Sequence, residues 1–195
     1  MLDVVVARYK DEKAIWAWQV ENEPLFPFGQ CPPQDQKFFE KEVLFVRTLD
    51  GARPIVTTDS GELSFWLMSG SQGDIFGTTM YKVVYGRGIG FFTYDFVPPI
   101  FYRKKAAVLE KLLPNVKDVI VVELQGEPWT AGMSVNIQTL DRQFLRFSID
   151  RFQRHIRYAR SVGYSETYLW GVEWWAWLKD KAGHPEFWEE ARGLF

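Results

Sequence analysis

The sequence contains one cysteine, Cys31, among its 195 residues. A single thiol cannot form an internal disulfide, and it cannot supply a cluster of cysteine ligands for a metal ion. The chain also lacks a run of about 18 apolar residues, and its N-terminus has no basic segment followed by an apolar stretch. We therefore expect a soluble chain with no signal peptide or transmembrane segment of its own, whose localisation is unknown.

The chain has little net charge and only two histidines. Lys and Arg number 23 against 25 Asp and Glu, the net charge is -2, and no block of like charge occurs. This balance disfavours nucleic acid and anionic membranes as partners. His155 falls inside a predicted helix and His184 lies near the C-terminus, in no metal-binding spacing, so we interpret both as surface or capping residues. We expect no metal and no organic cofactor.

Aromatic residues are abundant instead. The chain has 9 Trp, 8 Tyr and 16 Phe, which make up 17% of its residues. Many of them fall in segments predicted to be loops, where flat apolar rings suit the C–H faces of sugars. A tryptophan-rich core is the alternative explanation of the same composition.

Short apolar runs alternate with helical patterns along the chain. The apolar runs predict strands at 14–20, 54–58, 74–81, 118–124 and 166–172. The spacing of apolar residues predicts helices at 2–13, 35–50, 99–113, 141–162 and 185–192. This alternation indicates parallel βα units and one α/β domain over residues 1–195. A complete (β/α)8 barrel typically needs about 250 residues, so the chain is short for one.

Carboxylates follow three of the predicted strands directly. Glu21 and Glu23 come after the first run, Asp59 and Glu62 after the second, and Glu123 after the run Val119-Ile-Val-Val. In parallel α/β barrels the active site gathers at these strand ends. Two carboxyl groups on such a rim are what glycosidic cleavage needs, and retention of configuration requires them about 5 to 5.5 Å apart.

The segment Trp18-Gln-Val-Glu-Asn-Glu-Pro resembles the fourth-strand motif of clan A glycoside hydrolases, including family 5 cellulase-like enzymes. The resemblance implies that Glu23 is the catalytic acid/base and that Asn22 hydrogen-bonds the 2-hydroxyl of the sugar. It also implies that Glu21 points elsewhere.

The likeness continues in order along the chain. Val121-Val-Glu-Leu-Gln-Gly-Glu-Pro-Trp resembles the seventh-strand segment of the clan, which implies that Glu123 is the nucleophile. Glu127 is the rival nucleophile, although a substrate-binding role suits its place beyond the strand better. Trp129 in the same segment is a further candidate for substrate binding.

The remaining site candidates follow from the same resemblance. Tyr81 ends the strand where the clan often has a tyrosine that hydrogen-bonds the nucleophile, although this chain has Thr79-Met-Tyr in place of the common His-x-Tyr. Trp170 matches the eighth-strand tryptophan beneath the reacting sugar, with Trp174 as a competitor and two core tryptophans as the alternative. Asp59 and Glu62 are expected to bind substrate hydroxyls.

Together these features predict strands four to eight of a TIM barrel and a retaining glycoside hydrolase acting on a β-linked oligo- or polysaccharide. The alternative is a truncated or degenerate barrel that binds carbohydrate without turnover. The first three strands are expected from a missing N-terminal part, from a partner chain, or from neither. The cluster Gly86-Arg-Gly-Ile-Gly is interpreted as a mobile loop, and Cys31 as a passive wall residue.

Overall fold

The computed structural model describes residues 1–27, 35–86, 88–130 and 137–195. The elements of these ranges are, in chain order, α1 (Leu2–Tyr9), β1 (Trp18–Gln19), α2 (Gln36–Leu49), β2 (Ile55–Asp59), α3 (Leu67–Gly70), β3 (Ile75–Met80), β4 (Val83–Gly86), β5 (Gly90–Thr93), α4 (Pro99–Leu112), β6 (Asp118–Gln125), α5 (Leu140–Arg146), α6 (Ile149–Val162), β7 (Thr167–Trp170), α7 (Val172–Trp177), a π-helical turn (Leu178–Ala182) and α8 (Glu186–Arg192). None of these helices combines the length and the apolar composition that crossing a membrane requires.

Five of the strands form one sheet, in the order β1-β2-β3-β6-β7. The pairs β1-β2 and β2-β3 are parallel, with Trp18 opposite Ile55 and Val56 opposite Ile75. Apart from the β4-β5 hairpin, each strand of the sheet neighbours the next strand along the chain, as in a (β/α)8 barrel. All five predicted strands are present, and the predicted α/β fold of a partial barrel is confirmed.

The chain divides into two compact units. The first comprises residues 1–79 and 104–122, and the second comprises residues 80–103 and 123–195. The interpretation of the whole chain as one domain stays a prediction.

The first unit contains an aliphatic core beside the start of the sheet. Helix α2 begins at Asp35, whose side chain accepts a hydrogen bond from the backbone N–H of Lys37. A buried stripe at helical spacing follows, and it packs with residues of α1, β1 and β2. This core consists of Val6, Val20, Phe39, Val43, Val46 and Ile55.

The second unit contains an aromatic core instead. Phe147, Phe152, Trp174, Trp175 and Phe187 are all buried, with ring centroids such as those of Trp174 and Phe187 only 4.7 Å apart. Much of the aromatic content therefore lies in a core, as the alternative explanation of the composition proposed.

The predicted helix over 141–162 is wrong as one continuous element. The structure breaks it into α5 and α6, because Phe147 leaves the helical conformation and Ser148 caps the next helix by accepting from the N–H of Arg151. The break lets Phe147 enter the core completely buried. Gly163 ends α6 in the left-handed conformation.

The glycine cluster that the sequence analysis interpreted as a mobile loop has Gly86 and Gly90 paired in the antiparallel hairpin β4-β5. Its mobility stays a prediction. Gly88 and Gly90 adopt positive φ angles of 87° and 84°, which the tight turn requires and which glycine adopts without strain. Arg87 lies outside the described residues.

His155 is neither a surface nor a capping residue. Its side chain is 3% exposed, and its Nδ1 lies 3.1 Å from the carbonyl oxygen of Gln125. Burial lowers the pKa of His155 to about 4, so the ring is neutral at pH 7. Sequence spacing placed His155 on a helix, but only packing decides which face of that helix is buried.

Candidate active site

Glu23 occupies a strained turn directly after β1. Its φ of 46° is in the left-handed region, which costs a non-glycine residue about 1 to 3 kcal/mol and recurs at functional sites. Two threonines hold the turn: the N–H of Glu23 donates to Oγ1 of Thr58 at 2.8 Å, and Oγ1 of Thr79 donates to Oε1 of Glu23 at 2.9 Å. The end of β2 therefore holds the backbone of Glu23, and the end of β3 orients its carboxylate.

The neighbours of Glu23 have different surroundings. Asn22 is exposed, and its Oδ1 accepts a hydrogen bond from Nε2 of Gln19 at 3.1 Å. Glu21 is electrostatically coupled to α2, where burial and, next, the charge of Glu21 raise the pKa of Glu42. Thr58 links the backbones of the two glutamates, since its Oγ1 accepts from the N–H of Glu23 and donates to the carbonyl of Glu21. The Glu23 carboxylate, however, accepts from Thr79, while the charge of Glu21 acts on Glu42.

Asp59 and Glu62 lie at the end of β2 and in the loop that follows it. Asp59 is buried, and its two carboxylate oxygens accept from the N–H of Ser60 and from Oγ of Ser69, each at 2.8 Å. Glu62 is half-buried and interacts with the ammonium group of Lys105. Burial lowers the pKa of Lys105 to about 8, against the opposing effect of the charges on Glu62 and Asp59.

Glu123 lies near the end of β6 in the second unit. The phenol of Tyr81 donates to Oε2 of Glu123 at 2.9 Å, and the ring of Trp129 meets the Tyr81 ring edge-on with centroids 5.4 Å apart. The structure therefore brings three of the predicted site residues together. A neutral donor on one carboxylate oxygen holds the orientation of the group and stabilises its ionised form.

Gln125 fixes the segment that carries Tyr81. Its Oε1 accepts from the N–H groups of Lys82 and Val83 at 3.0 and 2.9 Å, and its Nε2 donates to the carbonyl of Val83 at 2.8 Å. The side chain is fully buried, so these bonds are shielded from water. They tie the residue after Tyr81 to the strand that carries Glu123.

Glu127 and Trp170 form a second pair in this unit. The indole N–H of Trp170 donates to Oε1 of Glu127 at 3.2 Å, while the tryptophan side chain remains 47% exposed. Burial raises the pKa of Glu127, the bond from Trp170 lowers it, and the charge of Glu173 raises it further. Gly126 and Gly171 allow this approach, because a Cβ on Gly126 would lie 2.5 Å from the carbonyl oxygen of Trp170.

Trp174 lies in the aromatic core rather than beside Trp170. It is 3% exposed, and its indole N–H donates to Oε1 of Gln143 at 2.7 Å. Trp170 and Trp174, the two candidates for the tryptophan beneath the reacting sugar, thus differ sharply in exposure. Their roles toward a substrate stay predictions.

Sequence reasoning missed Thr58, Thr79, Gln125 and Lys105. The sequence did contain a feature that could have identified Thr79, because in the resemblance it takes the place of the histidine of the common His-x-Tyr. The feature that could have identified Gln125 is weaker: a polar residue at the end of an apolar strand needs a buried hydrogen-bond partner. Cys31 lies outside the described residues. Within the described ranges, no group of three or more His, Cys, Asp or Glu side chains could hold a metal ion.

Comparison with known proteins shows the fold. No protein-family model matches the sequence, and no curated protein matches it. The chain is similar to the structure of a GH2 beta-galacturonidase from Eisenbergiella tayi bound to galacturonate, with a TM-score of 0.53 and 12% identity, over 87% of this chain and 28% of that chain. It is also similar to a beta-glucuronidase from Bacteroides uniformis, with a TM-score of 0.54 and 17% identity, over 87% of this chain and 20% of that one. The likeness is one of fold. The chain spans less than a third of either protein.

Proposed function

We propose that this chain carries the catalytic carboxylates of a retaining glycoside hydrolase that cleaves a β-linked oligo- or polysaccharide. Glu123 is the nucleophile and Glu23 the acid/base. The observation that carries the proposal is the hydrogen bond from Tyr81 to Glu123, because a nucleophilic carboxylate must be ionised and oriented. The strained backbone of Glu23, held by Thr58, and the bond from Thr79 to its carboxylate support the second role.

The reaction takes two displacements. An oxygen of Glu123 attacks the anomeric carbon while the glycosidic C–O bond breaks, and Glu23 gives its proton to the departing oxygen. Glu23, now ionised, takes a proton from water as that water attacks the same carbon. The bond to Glu123 breaks, and the released sugar keeps its configuration. The step requires no metal and no organic cofactor.

The other candidates bind the substrate under this proposal. Asn22 hydrogen-bonds the 2-hydroxyl, while Glu62 and Glu127 accept from other hydroxyls. Asp59 is buried and both its carboxylate oxygens are bonded to Ser60 and Ser69, so it holds the loop instead of a hydroxyl. Trp129 and Trp170 offer apolar surface to sugar rings, whereas Trp174 is buried in the aromatic core and supports the site from below its surface. The exposed Trp170, whose indole is held by Glu127, is the best placed of the three. We propose further that the substrate specificity is similar to that of family 5 cellulase-like enzymes.

The rest of the barrel comes from a missing N-terminal part or from a partner chain under this proposal. The small share of each similar protein that the chain spans supports it. So does a groove of about 450 Å³ beside β7, which is lined by Thr167, Tyr168 and Leu169 of that strand and by Phe195. A further strand and its helix would cover this apolar surface.

A second candidate function is carbohydrate binding without turnover. It is favoured by the position of β1 and β7 at the two ends of the sheet order, since a barrel without its remaining strands would hold its reacting groups less rigidly. The aromatic and acidic side chains would still bind sugars in that case.

Covalent labelling tests the proposal directly. The purified chain is treated with epoxide and aziridine sugar mimics that trap retaining nucleophiles, and the labelled peptide is mapped. Labelling at Glu123 that disappears in Glu123→Gln supports the mechanism, and labelling at Glu127 moves the nucleophile there. A folded chain that binds sugars but takes no label supports the binding-only function.

A further inference from the structure

The loop after β2 presents two apolar side chains to solvent in the first unit. Phe65 is 92% exposed and Leu63 is 62% exposed, whereas Trp66 between this loop and α3 is 1% exposed. An almost fully exposed phenylalanine contributes nothing to the core, because its apolar surface is not removed from water. Its position therefore calls for an explanation outside folding stability.

The backbone next to Phe65 is anchored at several points. The indole N–H of Trp66 donates to the carbonyl of Ser60 at 2.8 Å, and its ring lies 4.9 Å from that of Phe76. Nζ of Lys105 donates to the carbonyl of Gly61 at 2.7 Å and lies 4.1 Å from the centroid of the Trp66 ring. Both ends of the exposed segment are thus tied to buried structure.

Trp66 also adopts a φ of 71°, in the left-handed region that a bulky residue avoids. This strained backbone lies where two adjacent aromatic side chains differ in exposure: Trp66 is buried and Phe65 is exposed. An anchored backbone limits the conformational entropy that the exposed ring loses when a ligand covers it.

The loop belongs to the same strand ends as Glu23. It begins directly after Asp59, the last residue of β2, and Thr58 of that strand accepts the hydrogen bond from the N–H of Glu23. Glu62, which precedes Leu63 in the sequence, is half-buried and gives the same loop a carboxylate. An apolar face with a polar acceptor at its edge matches a sugar ring, which has C–H groups on its faces and hydroxyls on its rim.

We propose that Phe65 and Leu63 form a platform for one pyranose ring of a β-linked oligosaccharide, outside the two sugars that flank the cleaved bond. This inference rests on the proposed function and specifies a chain of sugars as its substrate. Stacking of one ring contributes about 0.5 to 1.5 kcal/mol beyond area burial, which corresponds to about three- to tenfold in affinity.

The test compares long and short ligands. Binding of cellohexaose, xylohexaose and mannohexaose, and of the corresponding disaccharides, is measured by calorimetry for the wild-type chain and for Phe65→Ala. We expect the hexasaccharide that the wild type binds best to lose about three- to tenfold in affinity, with disaccharide binding unchanged. Phe65→Tyr restores binding, because it keeps the ring.

Two further variants sharpen the test. Leu145→Ala removes an 88% exposed side chain on α5, and it leaves hexasaccharide binding unchanged if only the platform matters. Lys105→Met keeps Phe65 but removes the bond to Gly61 that anchors the loop, so it weakens hexasaccharide binding.

Some results overturn the platform. Equal hexasaccharide affinity in Phe65→Ala and the wild type does so, as does an effect of Phe65→Ala on self-association alone, which would make the surface a protein contact. Labelling at Glu123 together with unchanged hexasaccharide binding in Phe65→Ala leaves the proposed function standing and removes only the platform. Failure of both labelling and hexasaccharide binding removes both.

Discussion

The phenolic oxygen of Tyr81 lies 2.9 Å from Oε2 of Glu123 and donates a hydrogen bond to it. Tyr81 follows β3, and Glu123 belongs to β6, the strand next to β3 in the sheet. The buried amide of Gln125 holds the backbone of Lys82 and Val83, immediately after Tyr81. The donor and the carboxylate are thus positioned by the same strand ends.

Tyr81→Phe removes this donor and keeps the ring that meets Trp129. A hydrogen bond to a charged group contributes about 1.5 to 3 kcal/mol, so we expect kcat/KM to fall about 10- to 100-fold. Steady-state kinetics on a chromogenic β-glycoside measure it. Tyr85→Phe, on the exposed hairpin, serves as the control and keeps full activity. Equal activity in Tyr81→Phe and wild type would exclude a role for the bond in the reaction.

Glu23→Gln tests whether Glu23, and not its neighbour Glu21, is the acid/base. General acid catalysis contributes about 10²- to 10⁴-fold, so kcat falls by that range for substrates with poor leaving groups. Dinitrophenyl glycosides need no proton, and their glycosylation rate is therefore nearly unchanged. Glu21→Gln is the matched control, because Glu21 lies two residues away and its carboxylate acts on Glu42, whereas that of Glu23 accepts from Thr79. The assignment fails if Glu21→Gln produces the larger, leaving-group-dependent loss.

Glu127→Leu and Glu127→Gln test the hold on the Trp170 indole. The glutamine keeps an acceptor oxygen for the indole N–H, whereas the leucine does not. A typical hydrogen bond contributes about 0.5 to 1.5 kcal/mol, so Glu127→Leu raises KM by up to about tenfold and Glu127→Gln restores most of the lost affinity. If Glu127 were the nucleophile, both variants would lose kcat instead.

His155 makes folding stability depend on pH. Its folded-state pKa of about 4 is below the ordinary 6.5, so the unfolded chain takes up the proton first as pH falls. This contribution is complete above about pH 6.5 and decreases by up to about 3 kcal/mol as pH approaches 4. Urea unfolding across this window measures the slope. His155→Asn keeps a donor for the Gln125 carbonyl, does not titrate and flattens the slope; an unchanged slope would contradict the assignment.

Gly126→Ala tests the close packing beside Glu127. A Cβ at this position would lie 2.4 Å from Cζ2 of Trp175, too close to accommodate without movement. Overpacking of this kind costs about 1 to 3 kcal/mol, so the midpoint of urea unfolding decreases. Gly193→Ala is the control, since its Cβ would meet no atom closer than 3.4 Å and its stability stays within about 0.5 kcal/mol. A midpoint unchanged by Gly126→Ala would mean that the indole of Trp175 moves freely.

The sequence by itself determined the order of strands and helices along the chain. Strands fully covered on both faces need consecutive apolar residues, and Val119-Ile-Val-Val predicted β6 on that basis. Residues that follow such strands emerge at one edge of the sheet, which gave Glu21, Glu23, Asp59, Glu62 and Glu123 as candidates. The resemblance to clan A glycoside hydrolases then selected Glu23 and Glu123 among them. These inferences depend on local composition and spacing, which a linear sequence contains.

Only the tertiary structure decided which side chains are partners. Thr79 and Glu23 are 56 positions apart, and Tyr81 and Glu123 are 42 apart, so no local pattern specifies either bond. For the same reason, no local pattern specifies the exposure of Trp170, Trp174 and His155. Whether Trp170 is exposed, and whether Trp174 and His155 are buried, depends on how whole elements pack, since the burial of a side chain is a property of its neighbours in space.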